Sequence, residues 1–355
     1  MESKMRPSRL GLLVLIAMTV VVTTNCTYYN RIMSRKNLVD GSTAYKDRRF
    51  DVAEDLFRRA AGRDPEGETL EGRTAQLFLA RTLHQRYSGN RQMTQYAEQA
   101  LEEYKKAIPQ VLSEYAASKS EYGSGSTDNA VQKRYFSALS AVNSTASAIS
   151  SLYDALGQGD ARKEWQRTIM ADEQYPGTAR ARAIVSLGLE YNTCANDITN
   201  NEAVKKTVKR DGKDVFEFVK PSDPAQLTKL QQCVAEGQKL FDQAYQLEDD
   251  TVKNAATVDL KSLNDDQLAI LDESILPFES ARSYRASIAS QAARLAEMEA
   301  NPNLASIKAE AEKRKAESDE LKKVAAAIKD EKEARIAAAQ AAAEANANAN
   351  AKPAP

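Results

Sequence analysis

The chain has 355 residues, with 49 Lys or Arg against 50 Asp or Glu, so no overall field favours nucleic acid or a basic partner. His84 is the single histidine, which excludes a multi-histidine metal site and leaves an imidazole-based catalytic triad only one candidate. Abundant Ala, sparse Gly and Pro, and short β-branched runs predict an all-α protein.

The N-terminus opens with Lys4, Arg6 and Arg9, continues with the apolar run Leu10–Val22, and passes through Thr23-Thr24-Asn25 to Cys26. A basic, apolar, small order reads as an export signal over residues 1–25. The run is shorter than the roughly 20 apolar residues of a spanning helix. A cysteine directly after such a signal resembles the lipobox of bacterial lipoproteins, although Thr23 and Asn25 replace that family's aliphatic and small residues. The resemblance implies cleavage before Cys26, acylation (palmitate among the chains) and a lipid-anchored, periplasm-facing protein. Thr27 stands where an inner-membrane retention Asp would be, which points to the outer membrane. An ordinary secretory signal and an uncleaved inner-membrane anchor are the alternatives.

Residues 26–250 carry a repeated theme. In Gly41–Pro65, Gly41 is followed by Ala53, Phe57 and Ala60, with the aromatic four after the first Ala and the second Ala three later. This resembles the tetratricopeptide repeat (TPR), in which small residues let two helices approach, an aromatic fills the space between them and Pro stops the second helix. Looser versions follow. Ala75–Leu83 precedes Ala100, Tyr104, Ala107 and Pro109. A long helix near Asn129–Leu156 precedes Ala161, Trp165, Thr168 and Tyr175-Pro176. A fourth unit has Ala179, Ile184, Leu187, Gly188 and Tyr191 on its first helix, and Gly237, Phe241 and Ala244 on its second. The resemblance implies a helical-hairpin array, an α-solenoid whose concave groove binds segments of other envelope proteins. Residues spaced to face that groove are Arg35, Ser42, Tyr45 and Lys46 in the first unit, and Arg182, Leu189 and Asn192 in the fourth. His84, among cations in Arg81–Arg86, is expected at a helix C-terminus against the dipole.

Between the helices of the fourth unit, about residues 200–222, apolar and polar residues alternate from Val204 to Val219 around Asp211-Gly212. Asp-Gly favours the positive φ angles of a type I′ turn, so this insertion reads as a β-hairpin. Pro221 and Pro224 return the chain to helix. Cys194 and Cys233 flank it; with Cys26 acylated in an oxidising compartment, they form the remaining pair and predict a disulfide at the hairpin's base. Two buried free thiols are the alternative.

Further helices are expected over 251–302, with Asn264 as a cap, Pro277 as a break or kink and Pro302 as a separator. Residues 303–345 are Ala, Glu and Lys with a thin stripe of Leu304, Ile307, Leu321, Val324, Ile328 and Ile336, which predicts one long solvated helix. The Asn-Ala alternation of 346–355 predicts disorder. No Walker-type phosphate loop and no Gly-x-Ser-x-Gly elbow is present. The sequence therefore reads as an envelope interaction scaffold without enzymatic activity, cofactor or metal, possible roles being outer-membrane or secretion-complex assembly. A structural periplasmic spacer and a cell-wall-acting enzyme are the alternatives.

Overall fold

The computed structural model describes the backbone of residues 9–123 and 125–350 and the side chains of 28–123 and 125–345. The described residues are helical except for connecting turns and one antiparallel two-stranded sheet. The chain divides into two units, Met1–Ser113 with Ala148–Gly159, and Glu114–Ser147 with Asp160–Pro355.

The first unit contains α1 (Arg9–Lys46), α2 (Phe50–Ala61), α3 (Leu70–Gly89), the start of α4 (Thr94–Tyr122) and the end of α5 (Asn129–Ala155). Helices α1 and α2 form a hairpin through a short turn in which Arg48 takes a φ of 59°. Their close approach depends on Gly41, where an added Cβ would stand 2.8 Å from the Phe57 ring. Phe57, Ala53 and Ala60 are fully buried, and Phe57 stacks on Phe78 of α3 at 5.4 Å. Ser34 Oγ donates to the Ala60 carbonyl at 3.0 Å, tying the two helices at a buried point. Asp51 in the first turn of α2 and Arg58 and Arg59 in its last turn complement the helix dipole. Thr69 caps α3 by accepting from Gly72 N.

Helix α4 runs through Pro109 instead of stopping there. Pro lacks the N–H of an interior helix residue, but Tyr104, Ala107, Val111 and Leu112 are buried on both sides of it. Packing therefore outweighs the lost bond. His84 lies five residues before the end of α3, half-buried and edge-on to Tyr104 of α4 at 6.0 Å. It is not the expected C-terminal dipole partner; burial lowers its pKa from the ordinary 6.5.

The second unit holds the remaining parts of α4 and α5, then α6 (Gly159–Ala171, from Asp160 on), α7 (Gly177–Thr199), β1 (Lys205–Arg210), β2 (Lys213–Phe218), α8 (Pro224–Gln246), a single turn α9 (Asp250–Lys253), α10 (Asp265–Met298) and α11 (Leu304–Asn350). Helices α7, α8 and α10 pack together around Phe241, Leu230, Ile288 and Met298. Gly188 of α7 meets Phe241 of α8 as Gly41 meets Phe57, with an added Cβ 2.6 Å from the ring. Pro224 occupies the first turn of α8 behind an Asp223 cap, where its missing N–H costs nothing. Asn264 and Gln267 form a full capping box at the start of α10.

Two expectations for the C-terminal part are corrected. Pro277 neither breaks nor ends α10; it is buried in the helix interior beside Ser274 and Phe278. Residues 303–345 are not a solvated helix, because α11 docks along α10. Leu321 and Ile328 are buried against Leu268, Leu271, Ile275 and Phe278, with Val324 and Ala325 at the edge of that cluster. Ile336 of the same stripe is 58% exposed. Helix α11 continues to Asn350, so the tail expected to be disordered begins as helix, while 351–355 lie outside the described residues.

Candidate functional site

The seven residues expected to face a groove fall into different environments. On α1, Arg35 and Lys46 are exposed. Ser42 Oγ donates to its own helix at the Leu38 carbonyl, 2.8 Å away. Tyr45 is half-buried and edge-on to Phe50 and Phe78 at 5.4 and 5.9 Å, so its ring serves packing.

On α7, the helical repeat sends Arg182, Leu189 and Asn192 to different surroundings. Arg182 Nη2 donates to Glu273 Oε1 at 2.8 Å. The same carboxylate oxygen accepts from Asn143 Nδ2 at 2.6 Å, and Thr178 Oγ1 donates to Asn143 Oδ1 at 3.0 Å. Arg182 is thus held in a polar network linking α5, α7 and α10. Asn192 is only 6% exposed, and its Oδ1 has no hydrogen-bond partner among the described residues. Arg182 is engaged with Glu273 and Asn192 is buried, so neither reads as an open contact for a docking segment.

Leu189 differs. It is 41% exposed and lines an open groove of about 410 Å³ together with Arg162, Ser186, Glu190, Asp197 and Lys229. Ser186, Leu189, Thr193 and Asp197 follow one another at three- and four-residue steps, with Glu190 beside Leu189, so one face of α7 forms the floor. Arg162 from α6 and Lys229 from α8 close its sides. Glu190 is paired with Arg162 at 3.4 Å and Lys163 at 2.9 Å. The groove is therefore an aliphatic patch rimmed by both signs of charge. The spacing around Leu189 could have revealed the α7 face; Arg162 and Lys229 are distant in sequence and left no such signal.

Cys194 also lines this groove and is joined to Cys233 of α8, with an S–S distance of 2.02 Å and Cα atoms 6.2 Å apart. Beyond the disulfide, β1 and β2 pair from Lys205↔Phe218 to Arg210↔Lys213. Asp211 and Gly212 have φ of 53° and 74°, as the two-residue turn requires. The hairpin's base is built into the unit: Val204 is buried, Phe218 packs against the same cluster, and the Arg294 guanidinium lies 4.9 Å from the Phe218 ring centre. Toward the tip, Phe216 is 58% exposed, with Lys205 Nζ 3.8 Å from its ring centre.

Cys26, its expected acylation and the signal at 1–25 concern side chains outside the described residues. Among the described residues, no helix is long and apolar enough to cross a membrane, and no group of three His, Cys, Asp or Glu could hold a metal ion. No protein family, curated protein or solved structure matches the chain.

Proposed function

We propose that this chain is an envelope lipoprotein acting as a protein–protein interaction scaffold, with a partner segment seated in the groove along α7. The reading also takes the α1–α2 and α7–α8 hairpins as TPR-like units, each wedged by a Gly facing a Phe. The observation that carries the docking site is Leu189, exposed at the floor of a groove with Arg162 and Lys229 opposing Glu190 and Asp197. An apolar centre with a mixed-charge rim is the anatomy of a modest protein interface. The disulfide supports this role, because it fixes α7 to α8 beside the groove and so limits the ordering cost of binding. Anchoring by Cys26 rests on the lipobox resemblance and would hold the scaffold at the outer membrane, facing the periplasm.

The test is a pull-down from detergent-solubilised envelope with the wild-type chain, Leu189→Glu and Lys46→Glu, each checked for a native melting temperature. Loss of partners with Leu189→Glu alone supports the α7 groove. Loss with Lys46→Glu alone moves the site to α1, and full retention by both variants overturns the scaffold reading. Incorporation of labelled palmitate that disappears in Cys26→Ser tests the anchor.

A further inference from the structure

The outward face of α1 just after Cys26 gathers exposed aromatic, aliphatic and cationic side chains. Tyr28, Tyr29 and Ile32 are 69%, 57% and 48% exposed. Arg35 and Lys36 are exposed as well, and neither has an ion-pair partner among the described residues. Steps of three and four residues place Tyr28, Ile32, Arg35 and Lys36 on one side of the helix, while Ser34, Asn37 and Gly41 face inward and are buried. Between Thr27 and Val39 there is no Asp or Glu; Asp40 is the first carboxylate after that stretch. Arg63, in the turn after α2, adds another cation here, donating to Asn30 Oδ1 at 3.1 Å, with its guanidinium 5.8 Å from the Tyr29 ring centre.

We propose that this face of α1, from Tyr28 to Lys36, lies against a bilayer surface bearing anionic headgroups. Tyr is suited to the headgroup level, where its ring is sheltered and its hydroxyl stays wet. Ile32 supplies apolar area to the acyl boundary, and Arg and Lys extend long stems with charges toward lipid phosphates. Continuity of the helix fixes the occupant as lipid. Helix α1 is unbroken from Arg9, so the apolar run Leu10–Val22 leads directly into this face. At 1.5 Å per residue, Ile32 stands about 9 Å and Lys36 about 15 Å along the helix from Cys26. A bilayer holding the apolar run, or acyl chains on Cys26, therefore brings these side chains to the headgroups. The proposal requires membrane delivery of the N-terminus, as the functional reading does, but acylation is not needed for it.

The test places a photoreactive benzoylphenylalanine at position 32 of the full-length chain, and in a control at position 52, occupied by the exposed Val52 of α2. Each protein is irradiated in vesicles of phosphatidylethanolamine with phosphatidylglycerol, and in vesicles of phosphatidylcholine alone. Lipid adducts at position 32, absent at position 52 and several-fold weaker in phosphatidylcholine, are expected. Arg35→Glu with Lys36→Glu should also weaken them, since each cation lost costs roughly fivefold in binding to an anionic surface. Adducts to protein instead of lipid, or a lipid yield at position 32 no higher than at position 52, overturn the proposal. A chain that crosslinks lipid here yet takes up no palmitate keeps this inference and loses the acyl anchor.

Discussion

Gly188 of α7 lies directly against the Phe241 ring of α8, so close that a single added carbon would stand 2.6 Å from it. Phe241 is fully buried and stacks on Tyr284 of α10 at 5.7 Å, which leaves the ring no room to retreat. Alanine is the better helix former by about 1 kcal/mol, but overpacking a filled core costs about 1–3 kcal/mol. Gly188→Ala is therefore expected to destabilise the chain, and Phe241→Leu in that background should recover part of the loss. Urea unfolding of the two single variants and the double variant checks the coupling; a more stable Gly188→Ala would show that the wedge yields.

The Cys194–Cys233 bond closes a loop of 39 residues. The chain-entropy account assigns a bond of that span about 3–4 kcal/mol, through restriction of the unfolded chain. Cys194→Ser with Cys233→Ser should lower the melting temperature and speed amide exchange from Lys205 to Phe218. Titration of the oxidised, denatured protein should find neither thiol free, and recovery of both would contradict the bond.

The hairpin turn and the first helix wedge were legible because their signals are short in sequence. Asp211-Gly212 dictates the turn by its own backbone preferences, and Gly41 and Phe57 lie close enough along the chain for their spacing to be counted. Pro109 and Pro277 misled for the opposite reason. Their effect on isolated helices is clear, but α4 and α10 stay helical through them, with buried neighbours such as Tyr104, Val111 and Phe278 on either side. The groove was half legible: Leu189 lies on its floor, whereas Arg162 and Lys229 reach it only through the packing of α6 and α8. Asn192 shares the face periodicity of α7 yet is buried, since spacing alone does not say which neighbour covers a position.

Glu248 and Arg282 make a buried bidentate pair, with both hydrogen bonds at 2.7 Å and side-chain exposures of 1% and 10%. Hydrogen bonding to Glu248 raises the Arg282 pKa above its ordinary value. Removing one partner strands the other charge, so Glu248→Ala should cost about 3–5 kcal/mol. Arg282→Met should be comparably damaging, and Glu248→Ala with Arg282→Met should cost less than the sum of the singles. Equilibrium unfolding across this double-mutant cycle measures the coupling.

His84 gives the chain a pH-dependent component. Burial lowers its folded pKa from the ordinary 6.5, so the unfolded chain binds the proton first as pH falls. Its contribution is fully present above about pH 6.5, and it declines between that value and the lower folded pKa. Urea midpoints near pH 7.5 and near pH 5.5 should therefore separate more in the wild type than in His84→Gln. Equal separations would place the titration elsewhere.

The stripe on α11 should divide sharply by burial. Leu321 and Ile328 are within 2% of full burial against α10, whereas Ile336 is 58% exposed. Leu321→Ala removes contacts with a packed cluster and is expected to cost about 2–5 kcal/mol. Ile336→Ala should stay within about 0.5 kcal/mol, as surface substitutions do. The ion pairs flanking this seam, Lys332–Asp272 at 2.7 Å and Arg335–Asp265 at 2.9 Å, are partly solvated and add little beyond fixing its register. Ending the chain after Pro302 would expose Leu271, Ile275 and Phe278 together, so that truncation should unfold part of the second unit and become protease-sensitive. If instead the shortened chain melts as the full one does, α11 is dispensable to the core and its docking on α10 contributes little to stability.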